Sequence, residues 1–235
     1  MGDLIYYCII GALFVINLRS IYIDRKRNNF VYKVVFISNP WDWALAALTI
    51  AFVIGCCIVL EPIMPSALNW SWPSYFFSKE SSNINIEIIY QSMKLSSGLL
   101  ILLFVFFILL LPKAAYEEEK IFRLHNNKLL HCIIPNLKFG FAHCIVGVPL
   151  WVGGMLCLVG FLLSLRYLYA LNKHIEPILS DTILEYGPLH ARNVNRQSIS
   201  LEYNGRKAIL ESTSLHGKYN IVLVTILFIS LICIF

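Results

Sequence analysis

The sequence predicts an all-α protein, a multi-pass transmembrane helical bundle of about six spans, on three observations. Of the 235 residues 58% are hydrophobic and only 14% charged, and the mean hydropathy is +0.68, far outside the balance of a water-soluble domain. The apolar residues gather into runs long enough to cross hydrocarbon, which takes roughly 20 residues of helix. The Lys and Arg residues behind the net charge of +5 are spread through the short segments between those runs. There they serve as orientation signals, not as a nucleic-acid surface. The chain is therefore expected to be a single integral domain over 1–235, solvated by the lipid bilayer, with no nucleic-acid partner.

The first run, 4–23, is interrupted by Arg19, whose stem can reach toward a basic loop holding Arg25, Lys26, Arg27 and Lys33. It lacks a basic leader and a small-residue cleavage site, so it reads as a retained span. The second run, 43–60, carries no charge and is flanked by Trp41, Trp43, Trp70 and Trp72, where an aromatic belt belongs. Residues 66–92 turn to Ser, Asn, Pro and Trp, which is loop chemistry. The third span, 95–116, is centred on the unbroken apolar stretch 99–111, and Pro112 is expected to kink it near its end. The helix formers of 114–120 are able to carry it on past the kink.

Residues 139–171 are too long for one straight span and hold Pro149, Gly153 and Gly154 at their middle, which predicts a short helix followed by a full one. A hydrophilic connection, 172–207, then precedes a last helix over 208–235. The first two spans and their loop thus occupy 1–94, and the remaining helices with the polar insert occupy 95–235. Because the loop 24–40 is strongly basic, it is expected on the cytoplasmic side with the N-terminus outside. Counting spans forward then places the end of span three, the start of the helix at Phe139 and the start of the last helix on that same side.

Seven cysteines (Cys8, Cys56, Cys57, Cys132, Cys144, Cys157 and Cys233) lie mostly in apolar runs without a C-x-x-C pair. They read as small buried hydrophobes, neither a disulfide framework nor a zinc site. The chemistry-bearing residues are elsewhere. Glu118 and Glu119 with Arg123, His143, and His216 with Asn220 fall where hydrophobic helices accommodate polar groups least, and ionisable residues at membrane depth are usually functional. Each alone has a plainer explanation: a solvated helix end, a core histidine, a polar contact between helices.

Spacing divides the labour. Glu119 and Arg123 are i,i+4 and share a helical face, so they pair. Glu118 lies roughly 140° from Arg123 around the helix and stays free. In a water-poor cavity its carboxylate loses hydration, which suits a general base. His216 and Asn220 are also i,i+4 and converge on one patch able to donate hydrogen bonds to a developing oxyanion. Lys218, about 200° from His216, faces away and is expected to snorkel or meet a headgroup.

Read together, E-E-x-x-x-R at 118–123, F-x-x-x-H at 139–143 and H-x-x-x-N at 216–220 resemble, in order and in helical context, the CPBP family. These are intramembrane glutamic endopeptidases that include CAAX prenyl proteases and bacteriocin-processing or self-immunity proteins. The resemblance covers the chain from span three onward. It departs from the family pattern in the long segment between His143 and His216 and in Lys218. It implies a CPBP-like catalytic core over 95–235, in a bacterial-type plasma membrane or, as the alternative, an organellar or thylakoid one. It implies a peptidase acting on a peptide or membrane-protein substrate without a cofactor or metal. Glu118 and His143 would activate a water, and His216 and Asn220 would form the oxyanion hole. A zinc-dependent version is the lesser expectation, since no H-E-x-x-H occurs. The alternative from a different class is a non-catalytic membrane adaptor or immunity-type protein that keeps the fold and uses the polar cluster as glue.

Overall fold

The computed structural model describes residues 31–37, 39–69, 97–124, 126–186 and 201–234, with isolated helical residues between 15 and 23. Among the described residues the protein is all-helical: α1 (Val31–Ile37), α2 (Trp41–Leu60), α3 (Ser97–Arg123), α4 (Ile133–Ala142), α5 (Leu150–Tyr186) and α6 (Leu201–Ile234), with short 3-10 turns between them. The expected first span over 4–23 and most of the 66–92 loop lie outside the described residues.

α2 is the simplest element. Pro40 precedes it with φ −62°, pre-set for a helix start, and Asp42 in its first turn meets the positive end of the helix dipole. It ends where Pro62 follows Glu61. Its 20 residues span about 30 Å, the thickness of a hydrocarbon core. Only 11% of its apolar window, extended to Ile63, is buried within the protein, whereas a core helix of a soluble domain would be mostly covered. Trp41–Ile63 and Leu150–Ile175 are the two described segments long and apolar enough to cross a membrane.

α3 runs through Pro112 without ending and carries the helix on to Arg123, as its helix formers allow. α4 and α5 are the predicted short and long helices, separated by a 3-10 turn at His143–Val146 and by Gly147, whose φ of 97° is a conformation few other residues adopt.

Four expectations need correction. The basic loop contains α1, because Val31 and Val35 are i,i+4 and bury against Ile221 of α6. The short helix starts at Ile133, not at Phe139, so His143 caps its end and does not lie within it. The hydrophilic connection 172–207 is largely helix: α5 continues to Tyr186 and α6 begins at Leu201, not at 208. Hydropathy marks where a helix leaves hydrocarbon, not where its backbone bonds stop. Leu171 and Ile175 continue the buried stripe of Tyr167 beyond the apolar run, against Ala208 and Ile209. Finally, of the five described cysteines, all free thiols, only Cys132 is buried and the other four are half-buried.

α6 is the centre of the bundle and packs against α1, α2, α3 and α5, while α4 pairs with α5. Its pattern is inverted relative to a soluble core helix. Asn204, Ser212, Thr213, Ser214, His216 and Lys218 are buried, and Leu227, Ile229 and Ile232 are exposed. The α4–α5 seam is held by close backbone approach: a Cβ added at Gly140 would run into the Cys157 backbone nitrogen and the Gly153 carbonyl, whereas one at Gly154 meets nothing. Gly140→Ala should therefore cost about 1–3 kcal/mol by overpacking, and Gly154→Ala should be neutral or slightly stabilising through helix propensity. Thermal unfolding of the two purified variants in detergent checks this. Equal effects would contradict the close approach.

Candidate active site

The site is assembled from three segments. α3 contributes Glu118, Glu119 and Arg123, and the end of α4 contributes Phe139 and His143. α6 contributes Ser212 and His216. Phe139 is the hub: its ring lies edge-on to His143 at 4.8 Å and to His216 at 5.6 Å, and the Arg123 guanidinium stacks over it at 4.6 Å. The residue is visible in the F-x-x-x-H pattern, but nothing in the sequence marks it as the contact shared by all three segments.

Glu119 and Arg123 pair as their spacing requires, at 2.9 Å, with both side chains completely buried. Such a pair is stabilised by meeting its remaining valences, which is done for the Glu119 carboxylate but not for the buried Arg123 Nε. Glu119 accepts a short hydrogen bond from the Ser212 hydroxyl and another at 2.8 Å from His216 Nδ1. One Arg123 nitrogen reaches the Gly160 carbonyl at 3.3 Å. Ser212 sits one turn before His216 on the same face of α6, so both meet one carboxylate. That i,i+4 serine is the signal sequence reasoning misses.

The expectation that Glu118 stays free is not met: it faces the other ring nitrogen of the histidine that Glu119 holds. The Glu118 side chain is 34% exposed, and its Oε2 lies 3.3 Å from His216 Nε2. That contact is at ion-pair distance but out of line for a hydrogen bond, and Oε2 is otherwise a buried oxygen without a partner among the described residues. The expected partnership with His143 is not what forms. His143 Nδ1 is instead 2.8 Å from the Phe139 carbonyl, because the turn at the end of α4 folds the ring back over its own helix. Asn220 is half-buried and makes no hydrogen bond with any described residue, so the expected His216–Asn220 patch is present only as spacing.

The partners decide where protons sit. A carbonyl only accepts, so His143 Nδ1 carries a hydrogen and the Nε2 edge of the ring is the one left for other partners. His216 Nδ1 donates to the Glu119 carboxylate in the same way. Its Nε2 then faces Glu118 Oε2, and two bare acceptors at 3.3 Å would repel. Glu118 Oε2 thus meets His216 Nε2 as an ion-pair contact and not as an aligned hydrogen bond.

A second buried polar cluster lies on the opposite face of α6. Ser214 donates to Asp42 at 2.6 Å. Lys218 donates to the Asn39 carbonyl at 2.9 Å and to Ser214 at 3.0 Å, and Arg166 approaches Asp42 at 3.4 Å. Lys218 does face away from His216, but it neither snorkels nor reaches a headgroup: it is fully buried, tying α6 to the start of α2. The sequence signal for this is a Ser–Lys i,i+4 pair and an aspartate at the mouth of an uncharged span, two opposite charges at the depth where each needs the other.

Among the described residues no three His, Cys, Asp or Glu side chains are grouped to hold a metal ion. No family model, no curated protein and no solved structure matches the chain.

Proposed function

We propose that the chain is an integral membrane peptidase that hydrolyses a peptide bond near the cytoplasmic membrane face with a water activated by Glu118 and His143. The observation that carries this reading is the convergence of the three CPBP-like motifs around Phe139, with one partly exposed carboxylate beside a buried, fully paired one. In this scheme the His143 Nε2 lone pair accepts one hydrogen of the water, and Glu118 takes the other as oxygen attacks the scissile carbon. The scheme requires His216 to carry a hydrogen on Nε2 when substrate is bound, its charge offset by Glu119. Nε2–H, with Asn220, then donates to the oxyanion of the tetrahedral intermediate. Collapse breaks the C–N bond, and Glu118 returns its proton to the leaving amine. Glu119 and Arg123 position His216 without touching substrate.

The membrane arrangement belongs to the same proposal: about six spans, with α3 and α6 crossing beside α2 and α5, the N-terminus outside and the site at the cytoplasmic side of a bacterial-type plasma membrane. Proteoliposomes test both parts. Wild-type protein should cleave a membrane-anchored peptide library and keep cutting under strong chelation, whereas a zinc site would lose activity and recover with added metal. Single cysteines replacing the exposed Lys33 and Lys128 should label from one side. Absence of cleavage across the library would favour the adaptor reading, and labelling from opposite sides would break the shared-face placement of the site.

A further inference from the structure

Between α2 and α5 lies an apolar groove of about 280 Å³, lined by Leu48, Phe52 and Val53 from one helix and Met155, Leu158 and Leu162 from the other. No charged residue is among those that line it. Its upper end is different. One turn beyond Leu162 is Arg166, which meets Asp42 in the first turn of α2, with the exposed Trp41 alongside.

The charges there are unequal. Among the described residues the single carboxylate of Asp42 is shared between two cations: its Oδ1 is 3.4 Å from Arg166 and its Oδ2 is 3.8 Å from Lys218. Arg166 is the one that reaches the surface, with its side chain 19% exposed, and its Nε has no hydrogen-bond partner among the described residues. That Nε is itself buried, so it is the exposed part of the guanidinium, beside a carboxylate shared between two cations, that favours an additional anion, and phosphate matches its fork geometry.

The dimensions of the groove select the rest of the ligand. From Arg166 to Met155, and from Asp42 to Val53, the helices advance eleven residues, about 16 Å of rise. That is about half of a 30 Å hydrocarbon core, the depth of one leaflet. A charged mouth at the interface with an apolar channel one leaflet deep fits a single lipid. Cationic pockets between helices on the cytoplasmic side bind anionic headgroups for the same electrostatic reason.

We infer that the α2–α5 seam is a binding site for one anionic phospholipid, its acyl chain in the groove and its phosphate on Arg166. The inference rests on the membrane placement proposed above but not on the peptidase chemistry. It uses the face of α5 adjoining that of Gly160 and Leu163, whose carbonyls serve the Glu119–Arg123 site, with Val159 shared between the groove and the core around Phe139.

The full chain, purified from vesicles of equimolar phosphatidylglycerol and phosphatidylcholine, tests it by native mass spectrometry of the lipid that stays bound. Wild type should retain phosphatidylglycerol over phosphatidylcholine by about fivefold or more, the preference one interfacial cation confers. Arg166→Gln should bring the ratio near one. Leu158→Trp, at a position already exposed, should fill the groove and lower retention of both lipids while leaving Arg166 paired, so a folding defect in the first variant does not decide the matter. Lys128→Gln, at an exposed site elsewhere, should leave the ratio unchanged. An unselective wild type, a preference surviving Arg166→Gln, or an equal loss in Lys128→Gln each overturns the site. An alkaline wash separates the levels: a chain stripped from the vesicles overturns the membrane placement itself, and a retained chain without preference overturns only the lipid site.

Discussion

Glu119→Gln should unfold the protein far more readily than its conservative chemistry suggests, by about 3–5 kcal/mol, the usual cost of leaving one member of a buried ion pair unmatched. Arg123 is fully buried, and among the described residues the only carboxylate it pairs with is Glu119. The same carboxylate also receives Ser212 and His216, so three donors lose a charged acceptor at once. An amide in its place offers one accepting oxygen and turns an N–H₂ toward groups that themselves donate. The double variant Glu119→Gln, Arg123→Gln should recover part of the stability, because neither charge is left alone. Thermal unfolding in detergent of wild type, both single variants and the double variant closes the cycle. If the double variant is no more stable than the sum of its parts, the pair is not what the buried network depends on.

Glu118→Gln, one residue away, should do the reverse. Its side chain is partly exposed, and its one described polar contact, with His216 Nε2, is not aligned as a hydrogen bond. An amide therefore leaves folding nearly unchanged. Peptide cleavage should nevertheless fall by about 10²–10⁴-fold, the contribution of a positioned general base. The measurement is turnover in proteoliposomes at matched amounts of folded protein, beside the thermal unfolding curve of the same preparation. Near-normal cleavage, or a stability loss comparable to that of Glu119→Gln, would falsify the assignment of Glu118 as base.

That contrast between neighbouring glutamates is legible in the sequence, because both relations inside α3 are matters of helical angle. Glu119 reaches Arg123 at one turn, and Glu118 does not. The same arithmetic puts Lys218 on the far side of α6 from His216. Angle gives direction only, and the partner met in that direction is set by packing between helices far apart in the chain. Sequence reasoning therefore gives Glu118 to His143, whereas it meets His216, and gives Lys218 to a headgroup, whereas it meets Asn39, Ser214 and Asp42. Hydropathy locates the two described spans and the break near Gly147. It misses α1, whose burial comes from two valines in a basic segment. It also truncates α5, where amphipathic helix replaces uniformly apolar helix without any change of backbone.

The inverted pattern of α6 bears on how such a bundle is assembled in a cell. In the membrane placement proposed above, basic side chains facing lipid oppose insertion, and α6 holds Lys218 and His216 on opposite faces, so no rotation of the helix hides both. Each is satisfied by residues earlier in the chain: Asn39 and Asp42 ahead of α2 and in its first turn, Glu118 and Glu119 in α3. During synthesis those groups emerge first. By the time α6 leaves the ribosome, acceptors for both of its basic side chains have already been made, and in the proposed placement the helix would enter a slot between charges of opposite sign instead of bare lipid. In that placement the order of segments along the polypeptide would give the helix that buries both basic groups the most help at insertion.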